Sequence, residues 1–447
     1  MTTVLIVAAL ALATAVGAQL FVRSVEDPIG TVLPIYALLL PFGSGIHVPL
    51  PLPSSFDTVT SLAGAWAVAA LALHLYVRRR VSPTHAALCT LFVLALGTIS
   101  FTYLWSIDPS TTGQNVFILV GILGLFVLAA LVEVDPRSLR RVEVFAVIGG
   151  VAACAYGLWL LQSGRLVSTD AGPARFATAG GIGDQADPNI TAATLVLPFL
   201  LALLLTLRAR RPLERFAALA ATIVIGVGIL LTGSRGGAIA VVVGTIIVVW
   251  HHGGRRVLAR SSVVLAVGVG IALVVLPSTI SSRFGQSTSS GRTSIWSVGL
   301  RACETHCWRG SGWGTFPTLY NQTVLSHPSL AVYNGVLTFK SHNVWLELVV
   351  EGGIVTLLLV VAALAMLFRS VWALPTDRRA VPLAGLVALL ISNEFLSNFN
   401  FKYFWFVLLY AALAVNVRAE ISSPVARASE ALDTRGSYAS RGTSGAL

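Results

Sequence analysis

Residues 189–211 read Asn-Ile-Thr-Ala-Ala-Thr-Leu-Val-Leu-Pro-Phe-Leu-Leu-Ala-Leu-Leu-Leu-Thr-Leu-Arg-Ala-Arg-Arg. No charged side chain occurs from Ile190 to Leu207, and then Arg208, Arg210 and Arg211 follow in a cluster. A helix rises about 1.5 Å per residue, so about 20 apolar residues cross the hydrocarbon core of a bilayer. An arginine cluster at the end of such a run marks one side of the membrane. The stretch reads as a transmembrane helix, and its pattern recurs along the chain.

Working outward from it, apolar segments fall at 3–22, 28–44, 57–77, 85–105, 114–134, 142–162, 214–232, 236–250, 260–277, 343–368, 380–397 and 401–418. With 189–207 they predict thirteen spans. Twelve is the alternative, because the second segment is short and the pair around Arg235 is closely spaced. The chain is 55% hydrophobic and 11% charged, against roughly 25% charged in a soluble domain. The mean hydropathy is +0.82. An all-α integral membrane protein of 12–13 helices is expected, rather than two or three soluble domains. Residues 1–22 lack a basic start and read as a retained first span, not a cleaved signal.

The net charge of +11 does not point to nucleic acid. The cations sit in short clusters between apolar runs, as membrane topology requires. Arg78, Arg79 and Arg80 form one cluster; Arg137, Arg140 and Arg141 another; Arg208, Arg210, Arg211 and Arg215 a third. Arg255, Arg256 and Arg260, then Arg369, Arg378 and Arg379, continue the series. These alternate loops are assigned to the cytoplasm. The loops at 45–56, 106–113, 163–188, 233–235, 278–342 and 398–400 then face outward. Residues 1–277 make the first part of the bundle, 278–342 a long, partly helical outward loop, and 343–418 the last part. Residues 419–447, rich in Ser, Ala, Gly and Arg, read as a disordered cytoplasmic tail.

Cys89 and Cys154 fall within apolar runs and read as packing residues. Cys303 and Cys307 share the long loop with His306. A disulfide, a pair of free thiols and a metal site on Cys-Glu-Thr-His-Cys are all open readings. No acidic cluster of metal-ligand spacing and no Walker motif is present, and no internal repeat of the kind that builds many transporters.

Outward cations are scarce, so each is informative. Arg235 sits in Thr-Gly-Ser-Arg-Gly-Gly, with a helix expected from about Gly236. Helix amides beside a guanidinium make an anion site; the alternative is an arginine snorkelling to headgroups. Arg292 lies in Ser-Gly-Arg-Thr-Ser-Ile-Trp before a short helix expected to run to about Thr305, and is either an anion ligand or part of a loop ion pair. His342, in Lys-Ser-His-Asn-Val-Trp-Leu-Glu, stands where the loop enters an apolar helix. It is a candidate base, or a bystander beside a cap formed by Ser341 or Asn343. Glu347 and Glu351, spaced i,i+4, are expected to face the bundle interior, either with the arginines or in a structural ion pair. Arg175 and the stretch ending Asp187-Pro188-Asn189 form a further outward edge, with Asn189 the expected cap.

These elements come in an order that resembles the O-antigen ligase and Wzy-type polymerase family. Asp-Pro-Asn at 187–189 comes first, then Ser-Arg-Gly at 234–236 and Gly-Arg-Thr-Ser-Ile-Trp at 291–296. Gly-Ser-Gly-Trp-Gly-Thr-Phe at 310–316 and Ser-His-Asn-Val-Trp-Leu-Glu at 341–347 follow, with Glu-Gly-Gly-Ile after them. The resemblance spans roughly 175–370. The family often has His-Pro where this chain has His306-Cys307.

The resemblance implies a GT-C-like glycosyltransferase of the inner membrane. It would use a polyprenyl-diphosphate-linked glycan donor and a lipid or glycan acceptor, with no cofactor and no metal. It implies that Arg235 and Arg292 hold the donor diphosphate and that His342 activates the acceptor hydroxyl, with Arg175, Asn189, Asn343, Glu347 and Glu351 supporting. A polymerase of the same family and protein O-glycosylation are the near alternatives. A flippase of lipid-linked sugars is the alternative of another class. A flippase should carry cavity charges through both halves of its bundle, whereas here the outward charges concentrate between 163 and 342.

Overall fold

The computed structural model describes residues 17–43, 45–49, 57–79, 81–165, 175–178, 187–252, 291–331 and 339–417. The expected span at 260–277, most of the one at 3–22 and the tail 419–447 lie outside these residues. Among the described residues there is no strand, only two isolated bridges, His47 with Thr58 and Val134 with Val417. The protein is all-α.

Eight described helices are long and apolar enough to cross a membrane, or nine if a bent pair counts as one span. The bent pair is α1 (Gly17–Glu26) and α2 (Pro28–Phe42, ending in a 3-10 turn), which meet at 112°. The expected second span is therefore one arm of a bend. Next come α3 (Val59–Arg78), α4 (Ala86–Phe101), α5 (Pro109–Ala130), α6 (Pro136–Gln162), α7 (Pro188–Arg208), α8 (Pro212–Leu231) and α9 (Arg235–His252). The long loop contributes α10 (Arg292–His306) and α11 (Phe316–Ser326). The chain ends in α12 (Val344–Gly352), α13 (Ile354–Trp372), α14 (Thr376–Asn393) and α15 (Lys402–Val415).

Asp-Pro pairs start many of these helices. Asp27, Asp108, Asp135 and Asp187 each precede a proline at the first helical position and each accept a backbone N–H with the side chain. Proline loses nothing there, since its missing N–H would have no partner in the first turn. The aspartate oxygen satisfies an amide left open by the helix start. The expected single span 343–368 is broken: Gly353, at φ 86, separates α12 from α13. A side chain at Gly353 would meet the backbone of Trp308 and Arg309, 2.9–3.0 Å away, so the break lets the long loop lie against the helix ends.

Helix α15 runs through the centre. Every residue from Tyr403 to Ala414 is buried. Trp405 packs on Phe92, Phe126 and Phe399 with ring centres 5.0, 5.6 and 5.1 Å away. Its polar groups are paired, as an apolar interior demands: the Tyr410 hydroxyl donates to Glu143 at 2.9 Å, and Arg140 donates to the same carboxylate at 3.3 Å. Helices α7 and α8 pack along each other, as do α2 and α6, and α4 and α13.

The described parts of the long loop have their own small core. Ile295, Val298 and Ala302 of α10 meet Phe316, Leu319, Tyr320 and Val324 of α11 over Val350 of α12. The connecting Gly310-Ser-Gly-Trp-Gly314 turn needs its glycines. Gly310, Gly312 and Gly314 have φ of 84, 112 and 83, a region closed to most side chains. The turn locks onto the bundle through Trp313, fully buried, which donates to Asn400 at 2.9 Å. Asn400 in turn donates to Asn115 at 2.9 Å.

Candidate active site

The turn before α9 is built by short polar contacts. Thr232 accepts from the Ser234 amide at 3.1 Å, and Ser234 caps the helix by accepting from Gly237 at 3.3 Å. Arg235 is thus the first residue of α9, half-buried. A side-chain carbon at Gly237 would come within 2.6 Å of Ala192, so glycine is what lets α9 start against α7. Gly291, at φ 75, plays the matching part before α10 and makes Arg292 its first residue.

The two arginines and Asp187 come together. Burial and the like charge of Arg235 pull Arg292 below the usual arginine range, while the opposite charge of Asp187 works against them. Arginine stays charged even so. Asp187 caps α7, accepting from the amide of Asn189 at 2.7 Å and from its side chain at 3.1 Å. Asn189 is therefore not the cap expected from sequence; Asp187 caps the helix two residues earlier, with Pro188 as its first residue. Three helix N-termini lie close here, each presenting the positive end of a helix dipole.

Phe395, just beyond α14, joins the two arginine helices. Its ring centre is 5.5 Å from the Arg292 guanidinium carbon, and its edge lies 3.3 Å from where a side chain at Gly236 would begin. The preceding residue, Glu394, holds the histidine segment. Its carboxylate accepts from the Trp345 indole at 2.6 Å and from the Asn343 side chain at 3.4 Å. Its backbone carbonyl accepts from Asn343 at 3.2 Å. Asn343 caps α12 by accepting from Leu346 at 2.9 Å, one of the two expected caps. Ser341 shares a 2.6 Å hydrogen bond with Ser397.

His342 lies between Ser341 and Asn343 at φ 48. Among the described residues, only it and Arg79 are non-glycine residues with positive φ. Such backbone costs on the order of 1–3 kcal/mol and clusters at functional sites. His342 is half-buried at the same junction.

The other expected residues divide. Arg175 precedes the buried Phe176, which packs on the glycines at 157 and 228 of α6 and α8. Glu351 accepts from the amides of Gly314 and Phe316 at 2.7 and 2.9 Å, at the start of α11. Glu347 lies near Lys340 and the Phe399 backbone. Cys303 and Cys307 are joined as a disulfide at the end of α10. Among the described residues, no group of three or more His, Cys, Asp or Glu could hold a metal. Glu394 and Phe395 were missed from sequence. An acid and an asparagine closing an apolar run, at 393–394, was the available signal.

These features define a multi-pass, all-α membrane protein whose paired arginines and strained histidine gather where helix starts meet. Residues 220–361 match the O-antigen ligase family model, a stretch that holds Arg235, Arg292 and His342. The chain is 26% identical over 287 residues to the O-antigen ligase of Pseudomonas aeruginosa, covering 63% of this chain and 65% of that protein. The likeness to the O-antigen ligase family carried by the motifs is thus borne out by both comparisons.

Proposed function

We propose that the protein is an O-antigen ligase-like glycosyltransferase of the inner membrane. It moves a glycan from a polyprenyl-diphosphate-linked donor to an acceptor hydroxyl at the outer face, and its C-terminus is cytoplasmic. The observation that carries this reading is the meeting of both arginine helices at Phe395, one residue from the Glu394 that holds the His342 segment.

The residue types suit one displacement. The acceptor oxygen bonds to the anomeric carbon of the donor sugar as the bond from that carbon to the phosphate oxygen breaks. The electron pair leaves with the diphosphate, and His342 takes the hydroxyl proton. Attack from the face opposite the leaving group inverts the anomeric centre. Arg235 and Arg292, each at a helix N-terminus, stabilise the leaving charge. Their planar guanidinium groups match phosphate oxygens in pairs. In this reading the arginines supply the charge a metal would bring. Arg175 is assigned to the rim of the donor site. Glu351 supports the site through the loop 278–342.

The test is product analysis. The purified protein is incubated with a polyprenyl-diphosphate-linked oligosaccharide, with and without a lipid acceptor, and the products are resolved by mass. One glycan moved once to the acceptor supports the ligase. A ladder of growing lipid-linked chains without added acceptor would assign a polymerase instead. Donor that crosses a vesicle membrane without reacting would replace both with a flippase.

A further inference from the structure

Glu394 stands at the C-cap of α14. A carboxylate there opposes the helix dipole, so helix stability gives no reason for an acid. Its partners give one. The Trp345 indole donates to one carboxylate oxygen at 2.6 Å and the Asn343 side chain to the other at 3.4 Å. Both donors belong to the start of α12, immediately after His342. On the other side of the histidine, Ser341 is bonded to Ser397 at 2.6 Å. The residues flanking His342 are thus tied on both sides to one segment, 394–397.

A left-handed backbone at a non-glycine residue persists only where its surroundings over-determine it. We infer that Glu394 is a positioning residue for His342, fixing the imidazole against the acceptor through Trp345 and Asn343. The inference rests on the transfer reading above. Because Phe395 touches the Arg292 guanidinium, the same two residues set the distance between the leaving-group side and the base side.

The experiment compares full-length, detergent-purified wild type with Glu394→Ala, Glu394→Gln and Trp345→Phe. It measures kcat, the donor KM and the melting temperature. Misplacing a base by about 1 Å costs on the order of 10- to 100-fold, and Glu394→Ala should lose kcat in that range. Its donor KM should stay within about threefold, since donor contacts are untouched. Glu394→Gln keeps an oxygen for Trp345 and should recover most of the rate. Trp345→Phe should fall between, and it decides the question if Glu394→Ala does not fold. A wild-type kcat in both Glu394→Ala and Trp345→Phe overturns the inference. So does a loss in Glu394→Gln equal to that in Glu394→Ala. No transfer by the unmodified protein overturns the functional reading and this inference with it.

Discussion

The Arg292 guanidinium carbon lies 5.5 Å from the centre of the Phe395 ring. Contact of this kind contributes about 0.5–2 kcal/mol, more when water is excluded. It also holds a long side chain still before the ligand arrives. Phe395→Leu keeps the bulk and removes the aromatic face. It should weaken donor binding by roughly 2- to 30-fold. Titration with a polyprenyl-diphosphate donor in detergent measures this; unchanged affinity would make the ring a packing residue only.

Arg235 and Arg292 are each the first residue of a helix, so each combines its charge with the positive end of a helix dipole. Alanine at either position should lower transfer by roughly 10²- to 10³-fold, the usual cost of one lost donor to developing charge. Lysine should restore little, because a point charge lacks the paired geometry. Initial rates from protein matched for membrane yield are the measurement.

Glu351 is predicted to act on stability rather than chemistry. Its carboxylate takes two loop amides, Gly314 at 2.7 Å and Phe316 at 2.9 Å. Glutamine offers one acceptor and turns an NH2 group toward the other amide. Leaving a buried donor unmet costs about 1–3 kcal/mol. Glu351→Gln should melt earlier in detergent, while the folded fraction keeps its donor KM.

Gly312→Ala should be harsher than an alanine elsewhere. Gly312 has φ 112, and an added carbon would lie 2.1 Å from the Ser106 hydroxyl. The same change at Gly121 meets nothing within 4 Å. Thermal melts of the two variants should separate, with Gly312→Ala the lower.

If the arginines supply the charge for the leaving diphosphate, chelation should leave the rate unchanged. Transfer measured after dialysis against EDTA tests this. A loss restored by added magnesium would assign that charge to a metal.

Much of the fold was legible because lipid imposes simple rules. Uncharged runs such as 190–207 are helices, and Pro188 and Arg208 mark the ends of α7. The short helix after Arg292 was legible from its Gly-Arg start. Arg235, Arg292 and His342 stood out because polar groups are few between apolar runs. The break at Gly353 escaped, since apolar residues continue on both sides and only the paired glycines hint at it. The Asn189 cap failed because Asp187 before proline competes for the same role. Glu394 and Phe395 escaped for a different reason. Their meaning lies in partners 49 and 51 positions away and beyond, and periodicity carries no such information.

The most direct test of the central claim is transfer by His342→Ala. The rate of glycan transfer to acceptor would be measured with purified protein, alongside donor binding. The account predicts that transfer is lost while donor still binds with near-normal affinity, since Arg235 and Arg292 are intact. Transfer at the wild-type rate by His342→Ala would contradict it.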